Sequence, residues 1–196
     1  MISIIIPTWN SATTLQACLA SIAAQTFKDV EVIVVDDAST DETGEIMRSI
    51  VKDMRMVRYL RHDLNRGANA ARNTGFKTSS GAYVLFCDAD VVLRPNALQV
   101  FVDTLSANRV VSYAYSSFKF GWKTFTVGTF DAEKLRQMPR IHTTSLIRRE
   151  HFPGFDESIK RFQDWDLYLT MLEQGHTGVW VPDVLFTVTH TQGTMS

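Results

Sequence analysis

The chain has 196 residues, 45% of them apolar and 21% charged, which is enough for one globular domain with its own core and excludes a disordered one. Twenty Lys and Arg against twenty-one Asp and Glu give a net charge of −1, so there is no basic field for unspecific nucleic-acid binding and nucleic acid is not an expected partner. The two cysteines, Cys18 and Cys87, form neither a disulfide framework nor a metal pair. No apolar run reaches the roughly 18 residues of a membrane span, and Met1 leads straight into Ile2 without a charged leader, so the expected compartment is the cytoplasm.

Ile2–Ile6 reads as a buried first strand. Leu15, Cys18, Leu19 and Ile22, spaced by three and four, predict a helix over Thr13–Ala24. Val30–Val35 is the second strand. Ser39 and Glu42 have the spacing of a capping box at the start of a helix over Asp41–Lys52. A third strand follows at Met56–Arg61, a helix near Ala68–Lys77, a fourth strand at Tyr83–Cys87, a helix from Pro95 to about Asn108 and a fifth strand at Val110–Ser116. Beyond residue 116, Phe118, Phe120 and Trp122 alternate with Lys119, Gly121 and Lys123, the pattern of antiparallel sheet. A helix near Asp164–Gln174 and two short strands, Gly178–Val181 and Leu185–Thr189, close the chain. The alternation of strand and helix predicts an α/β fold with a mostly parallel, Rossmann-like sheet and a smaller antiparallel part. One domain is expected, with a division of labour near residue 110.

In open α/β sheets ligands bind beyond the carboxyl ends of the strands. Those positions hold Pro7-Thr8-Trp9-Asn10, Asp36-Asp37 and Asp88-Ala89-Asp90. In extended chain Asp88 and Asp90 would point to one side and converge on a hard cation such as Mg²⁺ or Mn²⁺, which bridges carboxylates to phosphates. An isolated Asp-x-Asp equally suits a plain turn before the Pro95 helix. Asp36 and Asp37 read as turn formers or as a ribose-binding acid. A dinucleotide site is excluded, because the turn after the first strand lacks Gly-x-Gly-x-x-Gly, and no G-x-x-x-x-G-K-[ST] loop is present. A nucleotide held without a glycine loop needs its diphosphate neutralised, which Asp88, Asp90 and a divalent metal could do.

Five segments in order resemble the family 2 glycosyltransferases of the GT-A fold. They are Ile2-Ser3-Ile4-Ile5-Ile6-Pro7-Thr8-Trp9-Asn10, Leu19-Ala20-Ser21-Ile22-Ala23-Ala24-Gln25-Thr26, Val34-Val35-Asp36-Asp37-Ala38-Ser39, Asn65-Arg66-Gly67-Ala68-Asn69-Ala70-Ala71-Arg72-Asn73, and Asp88-Ala89-Asp90. Gly154-Phe155-Asp156-Glu157 and Gln163-Asp164-Trp165-Asp166 are similar to the family's acceptor-side segment. The resemblance implies an inverting enzyme that moves a sugar from a nucleoside-diphosphate donor, most commonly a UDP-sugar, to a hydroxyl of a glycan or lipid-linked acceptor. It places the general base at Asp164, the metal (Mn²⁺ or Mg²⁺) at Asp90 with Asp88 and His190, and the nucleotide among Pro7, Thr8, Trp9, Asp37, Gly67, Arg72 and Asp88. Residues 1–110 would hold the donor and 111–196 the acceptor. Gln163 stands where a glutamate is frequent. Arg72 also reads as a surface helix residue.

His142 could line the acceptor side or be a hydrogen-bonded core residue, while His62, His151 and His176 read as packing or surface residues. The aromatic and basic stripe from Phe118 to Phe125 suits a lipid-linked acceptor or a peripheral membrane contact, and a half-buried strand explains it more cheaply. Two rival functions use a similar crevice. One is a sugar nucleotidyltransferase, which gives Asp164 no role, and the other a module that binds nucleotide sugars without turnover.

Overall fold

The first strand, β1 (Ile2–Thr8), is buried at all seven positions, because a mostly apolar run can be covered only when helices pack on both faces of its sheet. The computed structural model describes residues 1–189. In it β1 pairs in parallel with β2 (Val30–Asp36) on one side and β4 (Tyr83–Phe86) on the other, and β2 pairs in parallel with β3 (Val57–Arg61). The crossovers are α1 (Leu15–Ala23), α2 (Thr43–Asp53) and α3 (Ala68–Thr78). Chain order therefore reverses between β1 and β4, and a crevice opens there beyond their carboxyl ends.

The remaining elements are β5 (Val91–Leu93), α4 (Ala97–Ala107), β6 (Tyr113–Phe120), β7 (Lys123–Phe125), α5 (Ala132–Gln137), β8 (Leu146–Arg148), α6 (Gln163–Glu173) and β9 (Gly178–Val188). The sheet runs β3-β2-β1-β4-β8-β6-β9-β5, with β7 paired to β6. β8 is antiparallel to both β4 and β6, so it joins the parallel half to the mixed half. Alternate β1 side chains divide the core. Ile2, Ile4 and Ile6 pack with Leu15, Leu19, Met47 and Phe101 of α1, α2 and α4, and Ile5 packs with Ala71, Leu135, Leu167 and Met171 of α3, α5 and α6.

Four local expectations are corrected. The final segment is one strand, β9, not two. Ser116 pairs with Val181 and Ser117 with Val184, so Pro182-Asp183 bulges out without ending the pairing. The capping box does not form. Ser39 Oγ accepts from the Asn10 amide at 2.9 Å, and the Thr43 amide at the helix start donates to Asp41 Oδ1 at 3.0 Å. The segment 88–90 is a turn and not extended chain, closed by the Val91 amide on the Asp88 carbonyl at 3.0 Å, with the Ala89 methyl packed into the core. The strand expected at Val110–Ser116 is instead β6 at Tyr113–Phe120, and the antiparallel pattern expected beyond residue 116 is present as a hairpin in which Phe118 pairs with Phe125 and Phe120 with Lys123, with Trp122 at its tip 93% exposed.

Candidate active site

The turn after β1 is tied to the turn after β2. Asn10, at φ 50°, accepts the Thr40 and Asp41 amides on its Oδ1, and the Asp37 amide donates to the Thr8 carbonyl at 2.8 Å. Asn is among the few non-glycine residues that tolerate this left-handed geometry. Thr8 is 3% exposed and its hydroxyl has no hydrogen-bond partner among the described residues, while Trp9 stands 53% exposed beside it. Asp36 and Asp37 do different jobs. Asp36 is fully buried and accepts from Tyr59, Arg61 and the Ser39 amide, so it holds the sheet edge. Asp37 accepts from His62 Nδ1 at 2.7 Å, from the Arg66 amide at 2.9 and 3.0 Å and from the Gly67 amide at 2.6 Å. Its carboxylate thereby fixes the loop that enters α3, where Gly67 takes φ 94°. His62 is a packing residue in this arrangement.

Helix α3 delivers Arg72 to the crevice. The residue is 5% exposed, which removes the surface-residue reading, and its guanidinium makes three side-chain contacts. It donates to Asp88 Oδ1 at 2.7 Å, Asn69 Oδ1 at 3.1 Å and Gln163 Oε1 at 2.9 Å, and so links the turn after β4 to the start of α6. Burial would push the Asp88 carboxyl up, but the Arg72 charge, His142 and hydrogen bonds from Arg72 and Thr143 hold it below the ordinary carboxylate range. Asp90 is the opposite case. Burial, reinforced by the Asp88 charge, pushes it up to about 6. No described side chain donates to the Asp90 carboxylate, whereas its carbonyl accepts both the amide and the hydroxyl of Thr189, each at 2.8 Å. An uncompensated carboxylate beside a second one fits a hard divalent cation, with substrate phosphates and water completing the shell. Among the described residues no third His, Cys, Asp or Glu completes such a cluster. His190 lies outside the described residues.

The acceptor-side candidate opens α6. Asp164 Oδ1 accepts the Trp165 amide at 2.9 Å. Phe162, just before the helix, takes φ 57° and is 61% exposed. A cavity of about 350 Å³ has Arg72, Asp88, His142, Thr143, Gln163 and Asp164 in its wall, together with the exposed residues Lys160, Arg161 and Phe162. Of the residues expected at a site, the cavity wall brings together Arg72, Asp88 and Asp164. Pro7, Thr8, Trp9, Asp37, Gly67 and Asp90 lie outside that wall. Gly67 stays close to it, because a Cβ added there would come within 3.4 Å of Lys160 Nζ. Lys160, Arg161 and Phe162 were not singled out in the sequence. Their one signal was position, immediately ahead of Gln163-Asp164.

Comparison with known proteins agrees with the fold. A family model described as glycosyl transferase family 2 matches residues 3–162. The glycosyltransferase GlyA of Streptococcus pneumoniae is 39% identical over 112 residues, 57% of this chain and 15% of GlyA. The crystal structure of Staphylococcus aureus TarS 1–349 in complex with UDP-GlcNAc superposes with a TM-score of 0.81 at 21% identity, over 98% of this chain and 59% of that one. The mannosyltransferase PcManGT from Pyrobaculum calidifontis, in complex with GDP-Man and Mn²⁺, gives 0.80 at 22% identity, over 98% and 58%. The chain thus spans less than two thirds of each of these proteins and shares the GT-A fold of the two solved ones. With that fold, and with the family model matching most of its length, the chain belongs to glycosyltransferase family 2.

Proposed function

We propose that this chain transfers a sugar from a nucleoside-diphosphate donor to an acceptor hydroxyl, with inversion, in a single displacement. The observation that carries the reading is the Arg72 bridge. One buried guanidinium ties Asp88, on the donor side, to Gln163, the neighbour of Asp164, across a shared cavity. Asp164 takes the proton from the acceptor hydroxyl as that oxygen bonds to the anomeric carbon. The bond from that carbon to the diphosphate breaks on the opposite face, and the nucleoside diphosphate leaves. Proton removal by a positioned carboxylate is worth about 10²–10⁴ in rate. Arg72 keeps Asp88 ionised and in place, and Asp37 keeps the amides of Arg66 and Gly67 facing as they do.

The remaining nucleotide contacts are assigned to Pro7, Thr8 and Trp9, at the carboxyl end of β1, and to Gly67, at the start of α3. Asp90 and Asp88 would hold Mn²⁺ or Mg²⁺, which when bound supplies positive charge against the leaving diphosphate. A UDP-sugar is the first donor to test and a GDP-sugar the second, in keeping with the ligands of TarS and PcManGT. We assign residues 1–110 to the donor and 111–196 to a glycan or lipid-linked acceptor in polysaccharide synthesis, and place the reaction in the cytoplasm. No helix among the described residues is long and apolar enough to cross a membrane, and a peripheral contact would use the hairpin tip at Trp122.

The test is thermal stability against UDP, GDP, dTDP and CDP, each with and without Mn²⁺. At about 100 times Kd a ligand selective for the native state adds roughly 2.7 kcal/mol, or on the order of 5–10 °C. A shift for one nucleotide that requires Mn²⁺ is expected, and it should vanish in Asp90→Asn. Equal shifts with and without the metal would remove the metal role of Asp90, and no shift for any nucleotide would remove the donor-site reading.

A further inference from the structure

The His142 ring is held on three sides. The Thr144 amide donates to Nδ1 at 3.0 Å. A backbone N–H can only donate, so Nδ1 is the acceptor and the ring proton of the neutral imidazole sits on Nε2. The main-chain oxygen of His142 accepts from Tyr168 Oη at 3.0 Å and Ser145 Oγ at 2.9 Å, and Tyr168 belongs to α6, the helix that also carries Asp164. The ring lies 5.2 Å from the Phe118 ring and 5.1 Å from that of Phe186. Its orientation and its tautomer are both fixed.

What remains is the Nε2–H, for which no described residue is an acceptor. His142 lines the cavity that holds Asp88 and Asp164, and both carboxylates act on the ring electrostatically. Each has protein partners already: Arg72 and Thr143 donate to Asp88, and the Trp165 amide donates to Asp164. The fixed tautomer also bars His142 from taking the acceptor's proton, since Nε2 carries one and Nδ1 is occupied. The ring is therefore a donor in want of an oxygen.

Single displacement dictates which oxygen is available. The attacked carbon must lie in line between the departing diphosphate, on the Asp88 side, and the incoming hydroxyl, on the Asp164 side. The stretch of cavity between the two carboxylates is the space of the transferred sugar. We infer that the Nε2–H of His142 hydrogen-bonds an oxygen of the donor's sugar, a hydroxyl or a carbonyl substituent, and that His142 helps to select that sugar. The inference rests on the donor-site reading above and adds to it a contact that a free nucleoside diphosphate cannot make.

That difference is the test. Calorimetric titration with Mn²⁺ compares UDP with UDP-GlcNAc and GDP with GDP-Man on the wild type, His142→Met and His142→Gln. Methionine keeps bulk without a donor, and the glutamine amide returns a donor at similar reach. For the pair that binds, His142→Met should lose about tenfold in affinity for the sugar nucleotide and less than about twofold for the diphosphate, the scale of one hydrogen bond. His142→Gln should recover most of the loss. Sugar nucleotide and diphosphate weakened equally, or neither weakened, would overturn the contact while leaving the donor site standing. A wild type that binds none of the four, nor dTDP or CDP, would overturn the donor site, and the contact with it.

Discussion

Single residues in this chain carry more than one contact each, and Asp37 is the clearest case. It is 3% exposed and takes hydrogen bonds from His62 and from the amides of Arg66 and Gly67. Removing the carboxylate leaves those amides without an acceptor, so Asp37→Ala should cost about 3 kcal/mol in urea unfolding. An unchanged midpoint would show that the Arg66–Gly67 turn holds its shape without the carboxylate. Nothing in a dipeptide Asp36-Asp37 shows which acid will face inward to Tyr59 and Arg61 and which will gather loop amides. Both readings were open until β3 and α3 were placed beside them. Arg72 was ambiguous for the same reason, since its partners Asp88 and Gln163 are 16 and 91 residues away.

At the scale of elements, α3 is the part whose position decides the site, because it carries Arg72. It approaches β1 through Gly75, where an added Cβ would lie 2.4 Å from Ile5 Cγ2 and 3.3 Å from Val35 Cγ2. Alanine would gain close to 1 kcal/mol in helix propensity, yet the clash with a β-branched core residue outweighs it. Gly75→Ala should therefore destabilise by about 1–2 kcal/mol in urea, and it should also weaken nucleotide binding by displacing Arg72. A variant as stable as wild type would mean that α3 can shift without cost. The elements β1, β2, α1 and α4 were legible in the sequence to within about two residues, because they have clear period or continuous burial, whereas β6 lies three to four residues beyond the bounds expected for it. The strands β5 and β8, three residues each, and the six-residue α5 carry too few residues for any period to show. Pro182-Asp183 looked like the end of a strand because proline lacks an amide, whereas a bulge lets β9 continue past it.

At the scale of the whole molecule, the joined halves give a pH dependence that belongs to the fold. The rings of His151 and His176 stack at 4.3 Å, and Ser112 Oγ lies 2.9 Å from His176 Nδ1. Burial, with the neighbouring His151, holds His176 below the ordinary histidine value. The unfolded chain therefore binds that proton more readily than the native one. The stabilising contribution is complete above about pH 6.5, the unfolded value, and declines as pH falls through it. His176→Gln should lose less stability than wild type between pH 7.5 and 5.5 in thermal unfolding. Comparing the two proteins cancels the titration of Asp90, which is pushed up to about 6 and acts in the opposite sense. Parallel profiles would show that His176 titrates alike in both states.

The family segments made the candidate residues legible from sequence, but not the cavity that relates them. Asp88 and Asp164 stand far apart in the chain and line one cavity in a fold whose β8 sits between β4 and β6 and joins the two halves of the sheet. His142 showed the same limit: its Nδ1 is satisfied by the Thr144 amide while the ring lines the cavity, a combination that the sequence left as two separate readings.

The claim that this cavity is where transfer occurs is tested most directly with Asp164→Asn. Once a donor and acceptor have been found for the wild type, transfer rate and donor affinity should be measured on both proteins. Transfer should fall by about 10²–10⁴ with donor affinity unchanged within about twofold. Transfer at the wild-type rate would contradict the assignment of Asp164 as the base and, with it, the joining of donor and acceptor ends in this cavity.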